Sequence, residues 1–371
     1  MKIGIIGAGI CGLSTGWILA KKGFDVTAFD RAESGKGAVW ASAGMLAAVS
    51  ETEPSEEKLL PLLLKSQSLW PSFAADLFKD SGIDVEYRTE GTLLIAQDYD
   101  DASKLKFRYE FLKSLNLNLE ILSPEEALEI EPFLTHNLTM AIFSEKDHQV
   151  NSRKVALALK NAFLNNRGIL KEYCPVQKVF VENNKLKYIV ANGERHEFDA
   201  VILAAGAWSN QIEGLPKDSL PPVRPVKGQA LAIQSDPKNP IIRHVIWGAD
   251  AYMVPRNDGK IIIGATVEEK GFDSSITVGA IYNLLKAAWE MVPIVYELPI
   301  VEMWCGFRPG SRDDAPILGP TDIEGLILAT GHFRNGILLA PITAYSISEY
   351  IEKKELPDIA KPFTIKRFYG K

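Results

Sequence analysis

The sequence predicts an α/β protein in two interleaved parts. One is a Rossmann-like nucleotide-binding domain with a parallel sheet and a β-meander, and the other is a domain built on a largely antiparallel sheet. Three observations carry this reading. Gly7-Ala8-Gly9-Ile10-Cys11-Gly12 lies between an apolar strand and a helical stretch, the strand–turn–helix context of a dinucleotide fold. Two later apolar runs, 199–206 and 325–331, read as strands covered on both faces and ended by glycine. Between them, from 221 to about 310, long alternating strands replace that texture.

Taken in order, residues 2–6, 10–22 and 24–29 form a strand, a helix and a second strand, one βαβ unit. A helical stretch follows over 56–79, broken near Pro61 and Pro71. The strand-like run 91–96 opens a second domain, and 152–165 is helical again. Short strands at 176–181, 185–191 and 196–198, separated by Asn183-Asn184 and Asn192-Gly193, form the meander. Strands at 228–233, 244–255, 260–266 and 300–307, with a helix at 278–291, build the antiparallel sheet. A closing helix spans 336–353. The expected division is discontinuous: 1–85, 146–220 and 305–371 bind the nucleotide, while 86–145 and 221–304 bind substrate.

Composition narrows the function. With 371 residues, 46% hydrophobic and 24% charged, the chain has the make-up of a folded globular enzyme of two domains. The net charge of -6 and the lack of a basic run argue against a nucleic-acid partner. Cys11, Cys174 and Cys305 are too few and too scattered for a disulfide framework or a zinc site, so a reducing, cytoplasmic setting and no metal are expected. No apolar run reaches the roughly 18 residues of a membrane span. The segment 59–64 is interrupted by Pro61 and reads as core.

The glycine turn has a specific chemistry. Gly7 permits the tight turn, Gly9 lets backbone approach a pyrophosphate, and Gly12 lets helix and strand touch. The first helical residues, Ile10 and Cys11, place free N–H groups and a positive dipole end at the phosphates. Asp30, closing the second strand, is placed to accept the ribose hydroxyls. At this point FAD and NAD both remain open.

Later segments separate them. Trp40-Ala41-Ser42-Ala43-Gly44-Met45-Leu46, Arg88-Thr89-Glu90-Gly91-Thr92-Leu93-Leu94, Asp147-His148-Gln149-Val150 and Leu203-Ala204-Ala205-Gly206-Ala207-Trp208-Ser209 are followed by Tyr252-Met253-Val254-Pro255-Arg256 and Gly306-Phe307-Arg308-Pro309-Gly310. Last comes Gly331-His332-Phe333-Arg334-Asn335-Gly336-Ile337-Leu338-Leu339-Ala340-Pro341. In this order the set resembles the D-amino-acid oxidase superfamily of flavoproteins, most closely the glycine oxidases of thiamine biosynthesis. The resemblance spans nearly the whole chain and implies an FAD-binding Rossmann-like domain beside a substrate domain. An NAD-dependent dehydrogenase would leave the second glycine-ended strand and the 331–341 motif unexplained.

The resemblance implies roles residue by residue. Ala43, Gly44 and Met45 line the flavin ring, Ala38 and Val39 lie near the cofactor, and Val176 meets the adenosine. Arg31, Ala205, Gly206 and Trp208 complete the nucleotide end, and His332, Phe333, Arg334, Asn335, Gly336, Ile337 and Leu338 the flavin end. A helix starting near Gly336 would point unpaired N–H groups at the edge of the flavin that becomes negative on reduction. Arg308 is the expected bidentate anchor for a substrate carboxylate, helped by the Tyr252 hydroxyl. Arg334 is expected to orient substrate amine or flavin. His332 reads as packing beside the cofactor rather than as a base. Met45 and Val267 match positions that shape the family's small pocket, and valine in place of the family's frequent methionine leaves more room. Cys305 lies near the cysteine that some sarcosine-type relatives bond to flavin, but the alignment is loose and a small buried thiol is expected.

The expected activity is FAD-dependent oxidative deamination of glycine or another small amino acid or amine, by hydride transfer from Cα to flavin, giving an imine. The electrons pass to oxygen, as in an oxidase, or to another acceptor, as in a D-amino-acid or sarcosine-type dehydrogenase. A flavin-binding assembly or sensor protein without turnover is the alternative of another class, and it would have no chemical need for Arg308 and Tyr252. Homo-oligomer formation is left open.

Overall fold

The computed structural model describes residues 1–369. The strand Lys2–Ile6, buried from Ile3 onward, runs parallel between Asp25–Phe29 and Ala200–Leu203. Ile169–Lys171 and Leu326–Thr330 extend the sheet in parallel on either side, and Ile317–Pro320 closes it as an antiparallel edge. Successive side chains point to opposite faces. Ile3, Ile5 and Ile202 therefore pack on the helices Ile10–Lys21, Leu60–Ser81, Ser152–Asn165 and Ala340–Lys353. Ile6, Val201 and Leu203 pack under the meander Val176–Glu182, Lys185–Ala191 and Glu194–His196.

The second sheet has eight strands, ordered Ile300–Gly310, Arg224–Gln234, Lys260–Gly264, Tyr252–Pro255, Val245–Trp247, Thr92–Ala96, Met140–Ser144 and Glu120–Leu122. All neighbours are antiparallel except Val245–Trp247 with Thr92–Ala96. Helix Val278–Met291, capped by the Thr277 side chain accepting from the Ala280 N–H, lays Leu284, Ala288 and Met291 against Leu231, Ile246 and Ile263. We propose the discontinuous two-domain division read from the sequence. The strand Ile300–Gly310 runs unbroken across its boundary at residue 305, paired with Arg224–Gln234 along its length.

Four expectations need correction. The stretch 56–79 is a short 3-10 turn, Pro54–Glu56, and then one helix, Leu60–Ser81, that runs through Pro71. Pro61 sits in the first turn, where its missing N–H costs nothing. Pro71 is exposed, while buried Trp70, Phe73 and Leu77 hold the helix to the core across it. The run 244–255 is a hairpin, Val245–Trp247 and Tyr252–Pro255, because the Gly248 N–H donates to the Ala251 carbonyl at 2.9 Å and reverses the chain. The last meander strand is Glu194–His196, two residues earlier than read. The closing α-helix begins at Ala340, since 336–339 form a turn first. Leu59, Leu60, Leu62 and Leu63 are buried, as the core reading of 59–64 requires. Among the described residues no helix is long and apolar enough to cross a membrane.

Candidate active site

A single elongated cavity of about 750 Å³ runs from the glycine turn of the parallel sheet to the face of the eight-stranded sheet. Its nucleotide end is built by close approach. A Cβ on Gly7 would stand 2.5 Å from the Ala204 carbonyl oxygen, and one on Gly12 1.9 Å from that of Gly7. At Gly9 a Cβ would meet no protein atom, so this backbone faces the open cavity. The Leu13 N–H donates to the Gly9 carbonyl at 2.9 Å, which leaves the N–H groups of the first turn to a ligand. The Asp30 carboxylate accepts from the N–H groups of Ala8 at 2.8 Å and Ala32 at 3.0 Å. Burial pushes this carboxyl up and those two bonds pull it back. The Arg31 guanidinium lies 3.5 Å from the centre of the Trp208 ring, which stacks in turn on Phe272 at 4.8 Å. Val176, Ala205 and Gly206 complete this end of the lining.

In the middle, Ala38 and Val39 come from the short helix Ala38–Ala41, and Ala43, Gly44 and Met45 from the segment after it. Gly44 has φ +76°, and a Cβ there would lie 2.1 Å from the Val150 carbonyl oxygen. The segment is pinned by Arg256, a buried guanidinium that donates to the Ala43 carbonyl and, at 3.0 Å, to Gln149 Oε1. Burial holds Arg256 down at about 10. Sequence reading quoted Arg256 within a motif but gave it no role.

His332 and Cys11 lie side by side, Cys11 Sγ 3.5 Å from His332 Nδ1, while His332 Nε2 bonds Thr343 Oγ1 at 2.9 Å. Burial pushes the imidazole down to about 3 and the thiol up to about 12. Both are neutral, so they form no nucleophile–base pair. Phe333 takes a left-handed φ of +47° and donates its N–H to the Pro309 carbonyl. The turn continues with the Asn335 N–H on the His332 carbonyl and the Leu339 N–H on that of Asn335. Between them the N–H groups of Gly336, Ile337 and Leu338 have no partner among the described residues. The late helix start thus does not remove the free N–H groups expected there: the preceding turn supplies them. Gly336 and Ile337 line the cavity. Gly12, Asn335 and Leu338 do not, and the Leu338 carbonyl instead accepts from Ser66 Oγ and Trp70 Nε1.

At the far end Arg308 and Tyr252 project from neighbouring parts of one sheet. The Arg308 guanidinium donates to the Thr266 carbonyl at 3.0 Å and the Lys227 carbonyl at 3.4 Å, with no carboxylate in ion-pair range among the described residues. Burial pushes it down, and Tyr252 and Glu51 pull it back up. Burial pushes the Tyr252 phenol up, against the pull of Arg308. Val267 is 67% exposed at the cavity wall. Cys305 does not line the cavity, and its thiol donates to the Ser274 carbonyl at 3.1 Å.

Arg334 lines the cavity but is already engaged. Its Nε lies 3.1 Å from Glu51 Oε2, and its Nη2 bonds Glu56 Oε2 and the Glu51 carbonyl oxygen. Sequence reading missed both carboxylates. Burial pushes Glu51 up to about 7, with Arg334 pulling it down. Arg108, from helix Tyr99–Ser114, also reaches the cavity beside Glu51, and its buried Nε has no partner. The signal lay in the spacing of Glu51, Glu53 and Glu56 directly after the 40–46 motif.

The residues present fit FAD: a backbone cradle open at Gly9, an acid at the strand end, and unpaired N–H groups at Gly336 and Ile337 on the cavity wall. The chain matches the FAD dependent oxidoreductase family over residues 2–350. It is 33% identical to the glycine oxidase of Geobacillus kaustophilus over 372 aligned residues, covering 100% of this chain and 97% of that protein. It is also 33% identical to the bifunctional protein ThiO/ThiG of Trichormus variabilis, covering 98% of this chain and 54% of that one. The crystal structure of the Geobacillus kaustophilus glycine oxidase superposes with a TM-score of 0.91 at 32% identity over 98% of both chains. Fold, cleft and sequence agree that this chain is a member of the FAD-dependent oxidoreductase family.

Proposed function

We propose that the protein oxidises glycine, or another small amino acid or amine, to the corresponding imine, and that oxygen reoxidises it with formation of hydrogen peroxide. The observation that carries this reading is Arg308, a half-buried guanidinium without a counter-anion among the described residues, at the substrate end of the cavity. Withdrawing a charge from water without a partner is unfavourable, and an anion supplies that partner. A planar fork of donors is the receptor that a carboxylate fills bidentately. The Tyr252 hydroxyl, on the same sheet, is the second donor to that carboxylate.

FAD, when bound, supplies the acceptor for the hydride that leaves the α-carbon. The chain's own part is to hold and orient. The N–H groups of Gly9, Ile10 and Cys11 would hold the pyrophosphate, Asp30 the ribose, and the N–H groups of Gly336 and Ile337 the edge of the ring that gains negative charge. Arg308 and Tyr252 fix the substrate carboxylate, so the α-carbon is presented in one orientation. Arg334, tied to Glu51 and Glu56, braces that wall and touches substrate less directly than the resemblance implied. The likeness to glycine oxidases supports supply of the imine to thiamine biosynthesis.

An absorbance spectrum of the purified protein, followed by anaerobic addition of glycine, sarcosine and D-alanine, tests the reading. A yellow protein that bleaches with glycine and regains colour on admitting oxygen is expected. Bleaching that persists in oxygen but reverses with an artificial acceptor favours the dehydrogenase. A flavoprotein that none of the three bleaches rejects the proposal.

A further inference from the structure

We propose that Glu51 accepts the proton that the substrate ammonium must lose before hydride can leave the α-carbon. This rests on the amine-oxidation reading above. An amino acid reaches the cavity as a zwitterion, and the nitrogen lone pair that forms the C=N bond is tied up in an N–H bond until that proton goes. In the step, one N–H bond breaks and one O–H bond forms on Glu51. The electron pair stays on nitrogen, and the proton later returns to water.

Geometry selects Glu51 among the cavity's ionisable groups. Asp30 and Glu33 lie at the nucleotide end, Asp250 is exposed on the hairpin turn, and Glu53 is held in the capping box of the Pro54–Glu56 turn. His332 is neutral, and Thr343 and Cys11 occupy its ring nitrogens. Glu51 is 8% exposed, lines the cavity, and acts electrostatically on both Tyr252 and Arg308. Arg334 Nε meets one carboxylate oxygen, Oε2, while Oε1 has no partner among the described residues.

The charged groups facing Glu51 come from every side. Arg334 and Arg108 stabilise its charge, while Asp147 and Glu56 oppose it. Burial outweighs these and holds the carboxyl at about 7, so it is ionised enough to accept a proton and basic enough to keep it.

The test is the limiting rate of anaerobic flavin reduction by glycine in the holoenzyme, from about pH 6 to about pH 10. In the wild type the rate falls on the acid side as Glu51 protonates. Glu51→Gln slows reduction by about 10²-fold or more near neutral pH, and the deficit shrinks as pH rises because the amine then arrives neutral. Glu51→Asp keeps the acid limb at a lower rate, which reads the proposal even if the glutamine variant loses flavin. Glu56 and the Glu51 backbone carbonyl still hold Arg334 in both. A glutamine variant with the wild-type profile, a deficit constant with pH, or an aspartate variant without the acid limb would overturn the assignment. A wild type that no amine reduces at any pH defeats the amine-oxidation reading instead.

Discussion

Gly228 lies beneath the Arg308 guanidinium: a Cβ at residue 228 would stand 2.6 Å from Nη1 and 2.8 Å from Nη2. The two residues are on paired strands, with Gly228 opposite Gly306 and Arg308 opposite Val226. The arginine can fold flat across the strand toward the Thr266 carbonyl because the diagonal position has no side chain. Gly264 does the same for Tyr252, where a Cβ would lie 2.5 Å from the hydroxyl oxygen.

Gly228→Ala should therefore displace Arg308 while leaving the nucleotide end intact. Losing a charge-assisted carboxylate contact corresponds to about 1.5 to 3 kcal/mol, or roughly tenfold or more in affinity. Spectral titration with a carboxylate competitor reads this. Unaltered affinity would mean that the anion binds elsewhere.

Arg308→Lys should keep a yellow, folded protein and lose most turnover with glycine. Lysine keeps the charge but replaces a planar fork with a point donor, and glycine has no side chain to restore its orientation. The check is the limiting rate of flavin reduction with glycine and with an amine lacking the carboxylate. Equal slowing of both would indicate damage at the flavin rather than loss of an anchor.

Asp30→Ala should weaken FAD retention more than substrate chemistry. Besides any ribose contact, Asp30 ties down the N–H groups of Ala8 and Ala32, so the variant loosens the glycine turn as well. Charge-assisted bonds of about 1.5 to 3 kcal/mol predict a tenfold to hundredfold rise in the FAD dissociation constant. Equilibrium dialysis of the apoprotein measures it, and wild-type affinity in a folded variant would remove Asp30 from the site.

His332→Asn should flatten the acid side of the stability profile. The folded imidazole titrates at about 3, against 6.5 for an ordinary histidine. Between those values the unfolded chain holds a proton that the folded one refuses. Stability attributable to this residue is present above about pH 6.5 and is lost on acidification toward pH 3, at no more than about 1.4 kcal/mol per pH unit. Denaturant melts of both proteins between pH 7 and about pH 5 should converge as pH falls. Parallel curves would show that His332 is not buried in its neutral form.

The nucleotide half was largely legible because its signals are local. Gly7, Gly9, Gly12 and Asp30 sit within one βαβ unit, where turn, helix and strand end fix one another. The hairpin at Val245–Pro255 was not, since Ala249 separates Gly248 from Asp250 and the segment lacks an adjacent two-residue turn pair. Pro71 misled because local propensity counted its missing donor and could not count the tertiary burial of Trp70 and Phe73. Glu51, Glu56, Arg108 and Arg256 escaped because their partners lie far away in sequence. Arg334 and Glu56 meet across 278 positions, and Arg256 and Ala43 across 213.

The parallel sheet is assembled from chain segments made at very different times. Lys2–Ile6 finds its neighbour Ala200–Leu203 only after the intervening chain exists, and that strand in turn waits for Leu326–Thr330. Ribosomal synthesis at about 5 to 20 residues per second thus leaves Ala200–Leu203 an apolar, unpaired edge for several seconds. Contacts this distant in sequence also close slowly once available. In the cell the vulnerable species is accordingly the nascent chain with its last strand still in the tunnel. A chaperone that shields residues 200–203 should raise yield without altering the stability of the finished protein.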